Sequence, residues 1–182
     1  MLLADGVTPT VEQAAEQAGI ARTTAYRYFP NQRVLLLATY PDLDALSLLG
    51  ADPPSDAAAR LEVVTEAFTR QVVDHEPELR ASLRVSLEVG AAKGDPLPLR
   101  QGRGIRWIED ALAPLRNHMS EPELRRLVLA IRAAIGIEAL VWLTDIGKLS
   151  RAEAVETMRW SARALLRSAL EDIGEPSRNP ST

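Results

Sequence analysis

Two arginines, two threonines and two tyrosines lie within seven consecutive positions near the amino terminus. They are Arg22, Thr23, Thr24, Tyr26, Arg27 and Tyr28. Arginine can form paired hydrogen bonds to guanine, and threonine offers a hydroxyl and a methyl group that can meet thymine. A tyrosine hydroxyl suits a phosphate oxygen. The chemistry that this set predicts is contact with double-stranded DNA.

The residues before and within this set have the pattern of two short helices joined by a tight turn. Thr10 and Gln13 have the spacing of a capping box, and Gly19 ends the helical spacing that follows. A helix is therefore predicted over roughly 10–18 and a second one from about 21 to 28 or 29.

The second helix can sort its side chains onto two sides. Ala25 and Phe29 lie four positions apart and can pack inward on Ala14, Ala15 and Ile20. The opposite side then carries polar residues, namely Arg22, Thr23, Tyr26 and Arg27. This is the arrangement of a helix-turn-helix, whose second helix enters the major groove. The alternative is a helical hairpin that only fills one end of a larger body.

At this point the sequence resembles the tetracycline-repressor (TetR) family of transcriptional regulators. The matching residues are Thr10, Val11, Ala14, Ala18, Gly19, Ile20, Thr24, Tyr26, Arg27, Tyr28, Phe29, Pro30 and Asn31. The resemblance covers roughly residues 6 to 40. It implies a homodimer that binds a palindromic operator, usually represses, and releases DNA when a small-molecule effector enters the helical body.

The resemblance also implies roles for individual residues. Base or backbone contacts are implied for Arg22, Thr23, Thr24 and Arg27, and phosphate contacts for Tyr26 and Tyr28. Thr10 would cap the first helix of the pair near the DNA backbone.

Two features depart from the family pattern. Gln32 stands where the family usually has a lysine that points at phosphate. Of the family's first helix and basic arm, the chain keeps only a last turn, Leu2 to Asp5, which would be explained by a late-assigned start codon. Residues 1–40 carry three basic and three acidic side chains, so weak non-specific DNA binding is expected.

The remainder has the pattern of a helical body. A leucine-rich helix is predicted from Gln32 to about Leu49, with a break or kink at Pro41. Ser55 or Asp56 can cap a long amphipathic helix. Further helices are predicted after Pro77 and around Ile105, and two capping-box patterns begin the last two helices, roughly 121–146 and 151–172.

The ligand contacts that we predict in this body are Trp107, Glu138 and Trp142. Glu138 and Trp142 share one face of the 121–146 helix with apolar residues, and pockets combine apolar walls with few polar groups. The alternative is that Glu138 pairs with an arginine from another helix or from a dimer mate. Arg132 lies about 120° around an unbroken helix from Glu138, so these two are not expected to pair.

The last two helices are the predicted dimer surface. The final helix has small and apolar residues near a seven-residue spacing, namely Ala152, Val155, Ala162, Leu166, Ala169 and Ile173. Two helices from each subunit can form a four-helix bundle with a self-complementary face. Within one subunit the same stripe could instead be ordinary core.

Composition narrows the classes of function. The chain of 182 residues has no cysteine and two histidines, so thiolate chemistry is excluded and a metal site is not expected. No signal peptide is visible, and the apolar stretch from Leu127 to Leu143 is interrupted by charge, so we expect a cytoplasmic protein without a membrane span. No nucleophile elbow or phosphate-binding glycine loop is present, and we expect no catalytic residue and no cofactor.

These patterns predict an all-α protein with a helix-turn-helix module over residues 1–49 and an effector-binding, dimerising helical body over 50–182. The function that we expect is a ligand-responsive transcriptional regulator, a repressor, with operator DNA, a small-molecule effector and a second copy of itself as partners. The alternative is a helical ligand-binding or dimerisation protein whose shortened head no longer binds DNA.

Overall fold

The computed structural model describes residues 9–38, 46–88 and 102–174, and in these ranges the protein is all-α, without a strand. The helices are α1 (Val11–Ala18), α2 (Arg22–Tyr28), α3 (Gln32–Ala38), α4 (Ala57–Asp74), α5 (Glu76–Glu88), α6 (Arg103–Ala111), α7 (Glu121–Ala134), α8 (Ile137–Val141) and α9 (Arg151–Gly174). A 3₁₀ helix, Ala113–Asn117, follows α6, and a π-helical turn, Trp142–Ile146, continues α8. The predicted all-α class is confirmed.

The helices group into two compact units. The first contains α1, α2, α3 and α5, and the second contains α4 and α6 to α9. Within the first unit α1 contacts α2, and α3 contacts α5, which lies in the predicted 50–182 body.

The first unit is built around a small apolar cluster. Its buried members are Val11, Ala15, Ala25 and Leu35, with Ala14 and Phe29 packed against them. Inward packing of Ala25 and Phe29 is thus confirmed, whereas Ile20 is 45% exposed and does not join the cluster as predicted. Ile20 lies in the turn after Gly19, where its amide bonds back to the Ala15 carbonyl, and its side chain is left at the surface.

Local bonds define the ends of these short helices as predicted. The Thr10 hydroxyl accepts from the Gln13 amide at 3.2 Å, and the Thr10 amide donates to the Gln13 side chain at 2.8 Å. Gly19 ends α1 with φ of 66°, a left-handed conformation that glycine adopts at little cost. The Ile20 amide then donates to the Ala15 carbonyl at 3.0 Å, which is the long bond of a Schellman turn.

The third helix is shorter than predicted. The Asn31 side chain caps it by accepting from the Val34 amide at 2.9 Å, but α3 ends at Ala38 and residues 46–50 are not helical. The expectation of a helix to about Leu49 is therefore wrong at its end. Pro41, and the helical turn expected from Leu2 to Asp5, lie outside the described residues.

The second unit has a larger core. Helix α4 packs on α6 and α9, and α7 packs on α6 and α9. Asp56 caps α4 by accepting from the Ala59 amide at 2.9 Å. The buried apolar residues from these helices include Leu61, Val64, Phe68, Val72, Trp107, Ile108, Leu127, Ile131, Met158 and Leu166.

The predicted helix over 121–146 is broken. It begins as expected, with Glu123 accepting from the Ser120 amide at 2.9 Å, but α7 ends at Ala134 and α8 starts at Ile137. Gly136 adopts an extended backbone between them, and the two segments turn by 41°. A Cβ at position 136 would come within 2.0 Å of the Arg132 guanidinium, so glycine leaves the space that this side chain occupies.

The final helix, Arg151–Gly174, begins at the predicted capping box, since the Ser150 amide donates to Glu153 at 2.8 Å. The centre of its small-residue stripe faces the core of its own unit, because Ala162 and Leu166 are buried there. For those two residues the alternative interpretation, that the stripe is ordinary core within one subunit, is the one observed. Ala152 and Ile173, at the ends of the stripe, are exposed.

Among the described residues, no single helix is long and apolar enough to cross a membrane. The bent pair of Glu121–Ala134 and Ile137–Ile146 meets the length and composition required only when both segments are taken together.

Replacement of Gly19 by alanine should destabilise the first unit. No atom lies within 4 Å of a Cβ at this position, so the cost comes from the left-handed backbone. We expect Gly19→Ala to lower the free energy of unfolding by roughly 1–2 kcal/mol. Gly19→Asn should lower it by less, because asparagine tolerates this conformation. Urea unfolding followed by circular dichroism measures both, and equal effects of the two variants would contradict this account of the turn.

The contact of α4 with α9 should depend on pH through Glu62. Arg159 and Arg163 donate to its carboxylate, and although partial burial opposes ionisation, these hydrogen bonds lower the pKa of Glu62. A lowered native pKa gives stability that is complete above the pKa of the unfolded chain and is lost as the pH falls through the native value. For each protein we compare the free energy of unfolding at pH 3 with its own value at pH 7. We expect this decrease to be smaller in Glu62→Gln than in the wild type. Parallel slopes in urea titrations would contradict the prediction.

Candidate functional site

The polar residues predicted to meet DNA lie on the surface of α2. Arg22, Thr23 and Arg27 are exposed, and Tyr26 and Tyr28 are 41% and 62% exposed. Thr24 is half-buried, and Thr10 is exposed at the start of α1. Ala25, on the other side of α2, is buried against α1. The helix therefore presents its hydrogen-bonding side chains outward, while Ala25 packs against α1.

Arg27 and Tyr28 form a pair on this surface. The Arg27 guanidinium donates to the Tyr28 hydroxyl at 3.2 Å, and its carbon lies 5.1 Å from the centre of the Tyr28 ring. A cation over an aromatic ring is attracted by the ring's negative face. The contact restricts Arg27 and leaves guanidinium donors available to a ligand.

Glu12 on α1 is a surface residue that the sequence patterns did not single out. The Tyr26 hydroxyl donates a hydrogen bond to its carboxylate, across the two helices. This bond lowers the pKa of Glu12, and the charge of nearby Arg22 lowers it further. The same bond raises the pKa of Tyr26. Tyr26 is thereby held in one position beside α1. A separation of 14 positions gave no periodic signal for this pair.

Gln32, the residue that departs from the family pattern, connects α3 to the start of α1. Its side-chain amide donates to the Pro9 carbonyl at 2.9 Å. Glutamine here supplies a bond within the protein where a lysine would supply a charge.

The charge of this surface is small. Residues 9–38 contain three arginines and two glutamates. Because each neutralised phosphate steepens the salt dependence of binding, a surface with so few cations predicts a shallow dependence.

The three predicted ligand residues differ widely in exposure. Trp107 is 3% exposed and packs edge-on against Phe68, with ring centres 5.5 Å apart. Trp142 is 61% exposed on the π-helical turn. Glu138 is half-buried between these extremes. Their role as ligand contacts stays a prediction.

Glu138 pairs with Arg132, contrary to the expectation from an unbroken helix. The Arg132 Nη1 and Glu138 Oε2 atoms lie 3.3 Å apart. The break at Gly136 removes the 120° offset, because the two residues no longer belong to one continuous helix. The alternative of an arginine partner is therefore the one observed. The Arg132 guanidinium also lies 5.5 Å from the centre of the Phe68 ring, so it joins the aromatic pair to Glu138.

The second unit also has a groove of about 600 Å³ between α4 and α9. Leu61, Leu166 and Leu170 give it apolar walls, and Trp160 and Arg163 stand among its lining residues. None of the three predicted ligand residues lines it.

Gly104 allows Phe68 and Arg132 to stack, and an alanine there should disturb the aromatic pair. A Cβ at position 104 would lie 2.9 Å from the Phe68 ring and 3.1 Å from the Arg132 side chain. Overpacking of a core costs about 1–3 kcal/mol, and helix propensity returns up to about 1 kcal/mol. We expect Gly104→Ala to lose about 1–2 kcal/mol of unfolding free energy and to change the tryptophan fluorescence. Gly50→Ala is the control, since nothing lies within 4 Å of its Cβ. A Gly104→Ala protein as stable as that control would contradict this packing.

Comparison of the chain with protein-family models, with curated proteins and with solved structures finds no match. The TetR resemblance thus remains a prediction that depends on the residues of α1, the turn and α2.

Proposed function

We propose that this protein is a ligand-responsive transcriptional regulator, a cytoplasmic repressor that binds operator DNA through α2. The observation that carries the proposal is the exposed polar face of α2, which a buried alanine face and a glycine turn hold against α1. A helix presented in this way fits the major groove of B-DNA, which is about 12 Å wide.

The side chains of α2 suit the two kinds of contact that DNA offers. Arg22 and Arg27 can bond guanine in pairs, and Thr23 can meet a thymine methyl group. Tyr28, which is largely exposed, can lie beside a phosphate. Thr10 supports the interface indirectly, by capping α1.

Dimerisation through the last helices is part of the proposal. Large apolar side chains outside the α4/α9 groove are exposed on α7 and α9, namely Leu129 and Ile173. Such residues favour contact with a second copy of the chain. A two-fold dimer would set its two recognition helices about 34–36 Å apart, one turn of DNA, and would require a palindromic operator.

Response to a small molecule is proposed for the second unit. The groove between α4 and α9 has the volume of an ordinary ligand site, since such sites measure about 300–1,000 Å³. Trp160 supplies an aromatic face there, and Arg163 supplies a charge. An effector bound in each subunit would release the DNA by changing the separation of the recognition helices.

A second function is favoured by the small charge of residues 9–38. With three arginines against two glutamates in residues 9–38, electrostatic attraction to DNA is weak. The protein would then be a helical ligand-binding or dimerisation protein whose head does not bind DNA.

The substitution Arg27→Ala tests the first proposal. Binding to duplexes chosen from a random pool, and to DNA that flanks the protein's own gene, is measured by gel shift at physiological salt. Loss of a base contact of this kind costs about 1–3 kcal/mol, so we expect affinity to fall roughly 5- to 150-fold without a change in the melting temperature.

Arg106→Ala is the matched control, because Arg106 is exposed on α6 in the second unit. Unchanged binding by Arg27→Ala would refute the placement of α2 on DNA. Absence of any bound sequence for the wild type would favour the second function.

A further inference from the structure

The hydrogen bond between Tyr26 and Glu12 determines which groups Tyr26 can contact. A tyrosine hydroxyl has one proton to donate, and an ionised carboxylate can only accept. In the structure that proton is directed at the Glu12 carboxylate. Tyr26 as a residue is 41% exposed, and a hydroxyl oxygen that donates its proton can still accept a hydrogen bond.

A Tyr26 hydroxyl that donates its proton to Glu12 has no proton left to donate to a phosphate. Phosphate oxygens only accept hydrogen bonds, and the negative Glu12 beside Tyr26 repels them. Arg22 lies four positions before Tyr26, one helical turn away, and its charge stabilises the Glu12 carboxylate in the ionised form. The acceptor character of the pair is thus maintained by the surface around it.

We propose that Glu12 and Tyr26 together form an acceptor site that recognises the exocyclic amino group of adenine or cytosine in the major groove. Adenine presents its N6 amino group there and cytosine its N4 amino group, while guanine and thymine present carbonyl oxygens at the corresponding places. Base pairing leaves one N–H of each amino group free, and either oxygen of the Glu12–Tyr26 pair can accept it, whereas the carbonyl oxygens of guanine and thymine find no donor there. The inference rests on the proposed function, and it changes the role of Tyr26 from phosphate contact to base selection.

Arg22 complements this selection on the same face of α2. As a donor it suits guanine, whose N7 and O6 atoms accept hydrogen bonds. The site therefore predicts an operator in which a guanine lies near a base that carries an exocyclic amino group. Arg22 would select the guanine as a donor, and Glu12 and Tyr26 would select the amino group as acceptors.

Selection from random duplexes with the full chain tests the inference. For the wild type we expect one operator position at which adenine or cytosine is preferred over guanine and thymine by at least about tenfold. In Tyr26→Phe this preference should fall to within about threefold, because the variant removes one acceptor and the bond that orients the Glu12 carboxylate. The other positions should keep their preferences. The affinity for duplexes that lack the preferred base should stay unchanged, because no phosphate contact is removed.

Two further measurements sharpen the test. If the selected base is adenine, it is replaced by a purine that lacks the 6-amino group. If it is cytosine, it is replaced by a pyrimidinone that lacks the 4-amino group. Either replacement should weaken wild-type binding at least about tenfold and leave Tyr26→Phe binding unchanged. Glu12→Gln adds an amide donor beside Tyr26 and should raise tolerance of guanine or thymine at this position.

Tyr28→Phe is the matched control, since it also removes one exposed tyrosine hydroxyl and should leave the preference for an amino group intact. A Tyr26→Phe protein that keeps the base preference but binds every duplex more weakly would overturn the inference and leave DNA binding in place. Failure of the wild type to select any sequence would instead overturn the proposed function, and the inference with it.

Discussion

The close contact of α1 with α2 is the constraint on which the candidate interface depends. Ala15 and Ala25 are small enough for the two helix backbones to approach, and Gly19 turns the chain sharply enough to bring them together. A helix as short as α2 is not stable alone in water, so its burial against α1 and Leu35 has to hold it. The polar side chains of α2 are consequently presented by a helix that its neighbours stabilise.

The same closeness explains why the surface of α2 includes a residue of α1. Because the helices touch, Glu12 reaches the hydroxyl of Tyr26, and the two side chains orient one another. Orientation before binding reduces the conformational entropy that a contact to DNA would otherwise cost. Arg27 is restricted in a similar way by the ring of Tyr28.

In the second unit, a kink and an ion pair depend on each other. The break at Gly136 brings Glu138 within reach of Arg132, whose guanidinium rests on Phe68. Phe68 in turn packs against Trp107, so a charged pair at the edge of the unit is continuous with its aromatic core. Glycine at positions 104 and 136 leaves the space that this arrangement requires.

Local patterns in the sequence were sufficient for the helix class and for most helix starts. The caps at Thr10, Asn31, Asp56 and Ser150 involve partners three positions away, so each can be recognised from its own short segment. The ends and breaks of helices were harder to predict. Neither the non-helical backbone of residues 46–50 nor the break at Gly136 follows from periodicity, because leucines or other apolar residues continue at helical spacing in both segments.

What the sequence by itself determined is thus the set of short-range features: the all-α class, the helix caps, the glycine turn and the polar character of α2. Only the tertiary structure decided which distant side chains meet. The bond from Tyr26 to Glu12, the pairing of Arg132 with Glu138 and the burial of Trp107 in the core are its results. The physical reason is that a cap is a matter of backbone geometry over a few residues, whereas a contact between helices depends on their relative positions, which the packing of the whole unit sets.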